Sequence, residues 1–103
     1  MVQNNVITVK VKDLSDGSIT RHLHITTSND TNVVQKAILD TNITGSFNYS
    51  FNCSKPQLNI TATVTATAPF NNDLEIDVNG QLNAYHGGSC PGTSYSITDY
   101  IGF

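Results

Sequence analysis

Hydrophobic and polar residues alternate along most of this chain, and a period of two predicts β-strands. The longest alternating run covers residues 58–68, where small or branched apolar residues alternate with asparagine and threonine. Residues 47–53 and 7–11 show the same alternation. Each of these segments has one apolar and one polar face, so we predict strands that are buried on one side only.

The first forty or so residues predict a hairpin followed by a helix. Residues 7–11 and 19–26 alternate as strands, and residues 13–18 between them are rich in turn-forming residues. We therefore predict that these two strands pair as an opening β-hairpin. Residues 28–32 are rich in helix N-cap types, and the apolar positions from 33 to 41 follow helical spacing. This pattern predicts one helix over about residues 31–40.

This order of elements resembles the opening of the β-grasp folds, of which ubiquitin is the familiar member. The resemblance covers residues 6–39, with a strand, a turn, a second strand that ends at Thr26, and a helix with Val34 and Ile38 inward. It implies a β-grasp-like arrangement of these elements. It does not imply conjugation, because residues 101–103 are not the diglycine tail of ubiquitin-like modifiers.

The second half of the chain predicts further strands. Apolar residues at 74 and 76 alternate with three acidic residues before Asn79-Gly80, a pair typical of hairpin turns. A three-residue loop would pair Ile76 with Leu82 and keep the apolar side chains on one face, so we favour it. A two-residue turn would instead put Leu82 on the acidic face. Residues 95–101 predict a last short strand.

These elements together predict one strand-dominated α+β domain spanning residues 1–103. It would contain about six or seven mostly antiparallel strands and one helix. Hydrophobic residues make up 38% of the chain, which is enough for a core. No apolar run approaches the roughly 20 residues of a membrane-spanning helix, so we expect no membrane span.

The low charge of the chain argues against nucleic acid as a partner. Charged residues make up 13% of the sequence, compared with about 25% in typical soluble domains, and the formal net charge is −3. No cluster of cations is present that could neutralise phosphates. Asparagine, threonine and serine replace the charged residues, as is common on secreted, cell-surface and virion proteins. We therefore expect an extracellular or virion-associated protein, although the first residues do not resemble a signal peptide.

Histidines and cysteines supply the candidate chemistry. His22 and His24 lie on one face of a predicted strand and could give zinc or copper two ligands, with His86 as the remaining imidazole. Exposed histidines are the simpler interpretation, so we expect no metal and no cofactor. Cys53 and Cys90 permit one disulfide, and two separate thiols fit equally well. A thiol hydrolase in which His86 activates Cys90 is the corresponding enzyme hypothesis.

Tyr85, Tyr95 and Tyr100 lie in the last fifth of the chain and are the candidate contact residues for a ligand such as a glycan. Paired catalytic carboxylates are hard to find, because Glu75 is the only glutamate and most aspartates lie in predicted turns, and the sequence has no nucleophile elbow. The sequence therefore predicts a non-enzymatic protein-binding or assembly module, such as a small viral, phage or surface protein. A carbohydrate-binding module is the second hypothesis, and a small metal-dependent or thiol hydrolase is the third.

Overall fold

Two antiparallel sheets form the fold. The computed structural model describes residues 4–14, 19–28, 36–54, 57–87 and 92–102. The strands within these residues are β1 (Asn5–Asp13), β2 (Arg21–Ser28), β3 (Lys36–Ile43), β4 (Phe47–Cys53), β5 (Gln57–Phe70), β6 (Asn72–Val78), β7 (Gln81–His86) and β8 (Gly92–Gly102). Sheet A has the strand order β4-β1-β6-β7, and sheet B has the order β3-β2-β5-β8.

The sheets pack against each other as a β-sandwich because most strands bury one of their two faces. On sheet A, Ile7, Val9, Leu74 and Ile76 are all 0% exposed. The buried core residues that sheet B contributes are Leu23, Ile25, Ile43, Leu58, Ile60, Ala62, Val64, Phe70, Tyr95, Ile97 and Ile101. Burying one side chain of this kind contributes about 1.5–3 kcal/mol, so this shared core is the main stabilising element.

The predicted helix over residues 31–40 is wrong, and the described fold is all-β instead of α+β. Lys36–Ile43 forms β3, which pairs antiparallel with β2. Residues 29–35 lie outside the described part of the chain. Four of residues 31–40 are β-branched, which disfavours a helix, and a helix of ten residues is marginal in water. Pairing with β2 satisfies the backbone and leaves Ile43 only 5% exposed.

The predicted opening hairpin is also wrong. β1 belongs to sheet A and β2 to sheet B, so the chain crosses between the sheets after β1. The Leu14 N–H donates to the Asn71 carbonyl at 3.0 Å and keeps the chain beside β6 as it leaves β1. Alternation shows that a strand has one buried face but does not identify its neighbour. The same residues are buried whether two strands pair in one sheet or lie in two sheets that face each other. The β-grasp-like order therefore does not hold.

The turn between β6 and β7 has two residues, and the favoured three-residue loop is wrong. Val78 pairs with Gln81 across Asn79 and Gly80, whose φ angles are 52° and 82°. Positive φ at both positions is typical of a type I′ turn, which matches the twist of the flanking strands. Leu82 consequently lies beside the acidic residues and is 62% exposed.

The side chain of Asn79 attaches this turn to β1. Its Oδ1 accepts the Val6 N–H at 2.9 Å, and its Nδ2 donates to Asn5 Oδ1 at 2.9 Å. The Asn79 N–H also donates to the Val6 carbonyl at 2.8 Å. These contacts depend on the two-residue turn, and they offset the exposure of Leu82.

Asn79→Ala lowers the free energy of unfolding by about 1–2 kcal/mol, because it removes the side-chain bonds and places alanine at positive φ. Asn79→Gly is the matched control, since glycine adopts this φ freely and loses the side-chain bonds alone. Urea denaturation of both variants measures the two effects separately. Wild-type stability in Asn79→Ala would contradict this account of the turn.

Candidate functional site

The edges of the two sheets are the places where this fold can add a strand from another molecule. The edge strands are β4 and β7 in sheet A, and β3 and β8 in sheet B. An edge strand presents a row of backbone groups available for pairing. Proteins normally protect such edges with bulges, charges or inward-pointing charged residues.

A β-bulge interrupts two of the four edges. In β3 the extra residue is Ile38, whose two neighbours pair with consecutive residues of β2. In β7 the extra residue is Asn83, since Leu82 and Ala84 pair with consecutive residues of β6. A bulge bends and twists the strand, so an incoming strand meets an irregular row of donors and acceptors. Both strands are therefore poor templates for addition.

An inward-facing carboxylate protects the third edge, β8. Asp99 pairs with Ile60, which is 0% exposed, so both side chains lie on the core side of sheet B. Within the described part of the chain, Oδ2 of Asp99 is buried without a hydrogen-bond partner. Burial raises the pKa of this carboxyl above its ordinary value, and the Tyr100 backbone N–H opposes the increase. A second strand beside β8 would bury this charge further.

Asp99→Asn changes the pH dependence of stability, with a sign set by the raised pKa. The folded chain holds the Asp99 proton more tightly than the unfolded chain does, so the carboxyl favours folding at low pH. That contribution disappears as the pH rises through the folded pKa. We expect the stability of Asp99→Asn relative to wild type to be greater at about pH 7 than at about pH 3. Urea unfolding at both pH values measures the difference, and a pH-independent difference would contradict the prediction.

The fourth edge, β4, has none of these protective features. Its seven residues, FNYSFNC, contain no charged residue and no proline. It pairs with β1 without a register shift, from Phe47↔Val11 to Cys53↔Asn5. A regular, uncharged edge strand of this length is a suitable template for a further strand.

The core-facing side of β4 carries aromatic rings that the sandwich covers only in part. Phe47, Tyr49 and Phe51 pack against the core yet remain half-buried, and the Tyr49 and Phe51 rings lie 6.1 Å apart. A strand added beside β4 would cover the exposed parts of these rings while its backbone pairs with that of β4. We call β4 together with these three rings the β4 edge.

The three tyrosines predicted as contact residues do not share one surface. Tyr95 is 8% exposed, and its hydroxyl donates to the Phe70 carbonyl at 2.9 Å. Tyr85 is exposed on β7 of sheet A, where a hydrogen bond with Asp73 raises its pKa. Tyr100 is exposed on the outer face of sheet B, where its hydroxyl donates to Gln57 Oε1 at 2.7 Å. The outer faces of a sandwich point in opposite directions, so these rings form no common stacking platform.

The three candidate histidines occupy two different sheets. His22 and His24 lie on the outer face of β2, whereas His86 lies on β7 with its ring 5.9 Å from that of Tyr95. No three His, Cys, Asp or Glu side chains in the described ranges form a group that could hold a metal ion. Cys53 is buried at the end of β4. Cys90 lies outside the described residues, so its pairing with Cys53 or with His86 stays a prediction.

His22 belongs to a polar cluster on the outer face of sheet B. Its Nδ1 lies 2.9 Å from Asn42 Oδ1, and its Nε2 is hydrogen-bonded to Asp40 Oδ1. The hydrogen bonds with Asn42 and Asp40 raise the pKa of His22 above its ordinary value. A depression of about 380 Å³ lies beside the cluster, with Thr20 and Thr65 in its lining. Because both ring nitrogens of His22 are engaged, the cluster suits polar contacts better than acid–base catalysis.

Two acidic residues on the outer face of β6, Glu75 and Asp77, form an ion-pair network with Lys10. Lys10 Nζ lies 2.8 Å from Asp77 Oδ2 and 3.6 Å from Glu75 Oε2. Burial raises the pKa of Asp77, but hydrogen bonds with Glu75 and Lys10 outweigh burial and lower it. The hydrogen bond with Asp77 raises the pKa of Glu75. Lys10 thus partly neutralises the negative charge of Asp77 and Glu75.

Alternation predicts residues 47–53 as a strand, but no reactive side chain in them marks a candidate site. The feature that could have indicated a binding edge is that these residues carry no charge, with Asn and Ser on one face of the strand and aromatic residues on the other. That signal gains meaning only when β4 is known to lie at the edge of sheet A.

Comparisons with known proteins do not assign the chain to a family. No protein-family model matches it, and no curated protein is significantly similar to it in sequence. In the described part of the chain, no helix is long and apolar enough to cross a membrane.

Proposed function

We propose that this chain is a non-enzymatic protein-binding or assembly module that adds a strand from another chain at the β4 edge. The observation that carries the proposal is the contrast among the four described edges. β3 and β7 contain bulges and β8 contains Asp99 on its core side, whereas β4 is regular and uncharged. The edge without protection is the one at which strand addition costs least.

The aromatic side chains of the β4 edge provide the apolar contribution to binding. Phe47, Tyr49 and Phe51 retain solvent-exposed area at the side of the sandwich. Strand addition would bury this area and form new backbone hydrogen bonds in one step. Cross-strand aromatic pairs contribute about 0.2–1 kcal/mol each beyond the backbone ladder. Affinity and register thus come from the same seven residues.

The candidate chemical groups support binding better than catalysis. Both ring nitrogens of His22 are hydrogen-bonded, and Lys10 is paired with Asp77 and Glu75. A catalytic base needs a nitrogen or oxygen free to take a proton from a substrate. These clusters instead present fixed polar surfaces on either side of the sandwich.

Tyr49→Lys tests the proposal, because it gives β4 the core-side charge that Asp99 gives β8. We expect the wild-type chain to associate with increasing concentration in sedimentation equilibrium. Tyr49→Lys should remain a folded monomer over the same range. Thr98→Lys is the matched control, since it makes the same charge change at an exposed position on the outer face of β8.

Circular dichroism and thermal unfolding establish that each variant is folded before its association is measured. If Tyr49→Lys unfolds, Phe51→Lys at the equivalent half-buried position replaces it. A wild-type chain that stays monomeric up to about 1 mM would overturn the proposal, since that limit corresponds to only about 4 kcal/mol of binding free energy. Equal association of wild type and Tyr49→Lys would also overturn it.

A further inference from the structure

We infer that the strand added at the β4 edge is β4 of a second copy of this chain, antiparallel to the first about a two-fold axis at Ser50. This inference rests on the proposed function and specifies its partner and register. Closed two-fold dimers are the commonest oligomers, and their interfaces require one surface to complement itself. The β4 edge can complement itself in three respects, which are its sequence, the faces on which its side chains lie, and its charge.

The sequence of β4 is chemically symmetric about Ser50. Its central residues read Asn48, Tyr49, Ser50, Phe51 and Asn52. Antiparallel pairing centred on Ser50 places each Asn48 opposite Asn52 of the second copy. It places each Tyr49 opposite Phe51 of that copy. Two amide pairs and two aromatic pairs therefore form together, each between side chains of the same kind.

The facing of these side chains is consistent with one continuous sheet. Asn48, Ser50 and Asn52 are exposed on the outer face, and Tyr49 and Phe51 face the core side. Directly opposed residues in an antiparallel ladder lie on the same face of the sheet. Registers displaced by one residue would pair outer with core-side residues, and larger displacements would shorten the overlap. The register centred on Ser50 pairs all seven residues of β4.

The lack of charge in β4, and an assembly that stops at two copies, also favour a second copy as the partner. The chain carries a formal net charge of −3, so copies repel weakly at long range, but β4 itself contributes no like charges to the contact. Two-fold pairing uses both β4 edges and leaves a β7 strand at each end of the extended sheet. Because β7 has a bulge at Asn83, growth stops at the dimer instead of continuing as a fibre.

Cysteine cross-linking tests the register directly. Opposed antiparallel residues have Cα atoms about 4.5–5.5 Å apart, which is within the reach of a disulfide. Ser50→Cys should therefore form a covalent dimer under mild oxidation. Asn48→Cys is the matched control at another exposed position of β4, because its two copies would lie about 14 Å apart. Non-reducing gel electrophoresis and intact mass report the dimer fraction, and wild type sets the background from Cys53 and Cys90.

We expect Ser50→Cys to form the covalent dimer at least about tenfold faster than Asn48→Cys. The double variant Asn48→Cys/Asn52→Cys should recover rapid cross-linking, because residues 48 and 52 of different copies are opposed. Association without selective cross-linking at residue 50 would overturn this inference and leave the proposed function intact. A monomeric wild-type chain would overturn both, so the two failures are distinguishable.

Discussion

Arg21→Ala lowers the free energy of unfolding by about 3–5 kcal/mol, the usual cost of removing one member of a buried ion pair. Arg21 is 1% exposed, its Nη2 lies 3.8 Å from Asp13 Oδ2, and it donates a hydrogen bond to the Gly45 carbonyl. The guanidinium also lies 5.9 Å from the centre of the Phe70 ring. One side chain thus joins the start of β2 to the end of β1 and to the loop before β4. Its loss takes the cation away from a largely buried carboxylate and opens a cavity.

The double variant Asp13→Asn/Arg21→Met is the matched control for this prediction. It removes both charges while keeping most of the side-chain volume, so it should lose less stability than Arg21→Ala. The comparison is informative because Nη1 of Arg21 has no hydrogen-bond partner among the described residues. Urea denaturation gives both free energies. A loss below about 1 kcal/mol in Arg21→Ala would contradict the prediction, as would a double variant less stable than the single one.

Phe70→Ala is expected to cost about 3–5 kcal/mol, as for other large-to-small substitutions in a core. Phe70 is 2% exposed, and its ring packs edge-on against Tyr95 with centroids 5.0 Å apart. β5 departs from its register with β8 after Thr65 and regains pairing at Phe70. The Phe70 ring therefore anchors the C-terminal end of β5 in the core.

Tyr95→Phe separates the hydrogen bond at this corner from the packing. It keeps the ring and removes the hydroxyl that donates to the Phe70 carbonyl at 2.9 Å. We expect a loss of about 1 kcal/mol, the usual net contribution of one hydrogen bond. Thermal unfolding of both variants gives the ranking. A larger loss in Tyr95→Phe than in Phe70→Ala would show that packing does not dominate here.

The strand assignments illustrate what alternation can predict. Residues 58–68 were predicted as a strand, and they lie within β5, where Leu58, Ile60, Ala62 and Val64 are at most 3% exposed. Residues 47–53 correspond to β4, and the predicted last strand extends over Gly92–Gly102. The period of two identifies these segments because a strand in a sandwich meets the core on one face only.

The helix and the turn show where local pattern fails. Ile38 and Thr41 fit helical spacing, but in β3 Ile38 is the extra residue of a bulge, and a bulge disturbs the period of two. At the β6–β7 turn, keeping Leu82 with the other apolar side chains favoured the longer loop. The bonds from Asn79 to β1 depend on a strand more than 70 positions away, so no local pattern contains them.

The candidate site was foreseen only in general form. An assembly module that uses edge strands follows from the low charge and the strand content, and it remains a proposal. The tyrosines and histidines that looked most reactive are divided between sheets or engaged with neighbours. The β4 edge was not singled out, because its residues are chemically ordinary.

For most strands the sequence by itself determined the segment and the face that meets the core, since both depend on side chains adjacent in the chain. The exception is β3, where the bulge at Ile38 disturbs the period of two. Only the tertiary structure decided which strands are neighbours, that β1 and β2 lie in different sheets, and that β4 ends sheet A. The physical reason is that strand pairing joins residues far apart in sequence, and apolar alternation is the same for every choice of partner. An edge is a property of a whole sheet, so it cannot be read from the strand that occupies it.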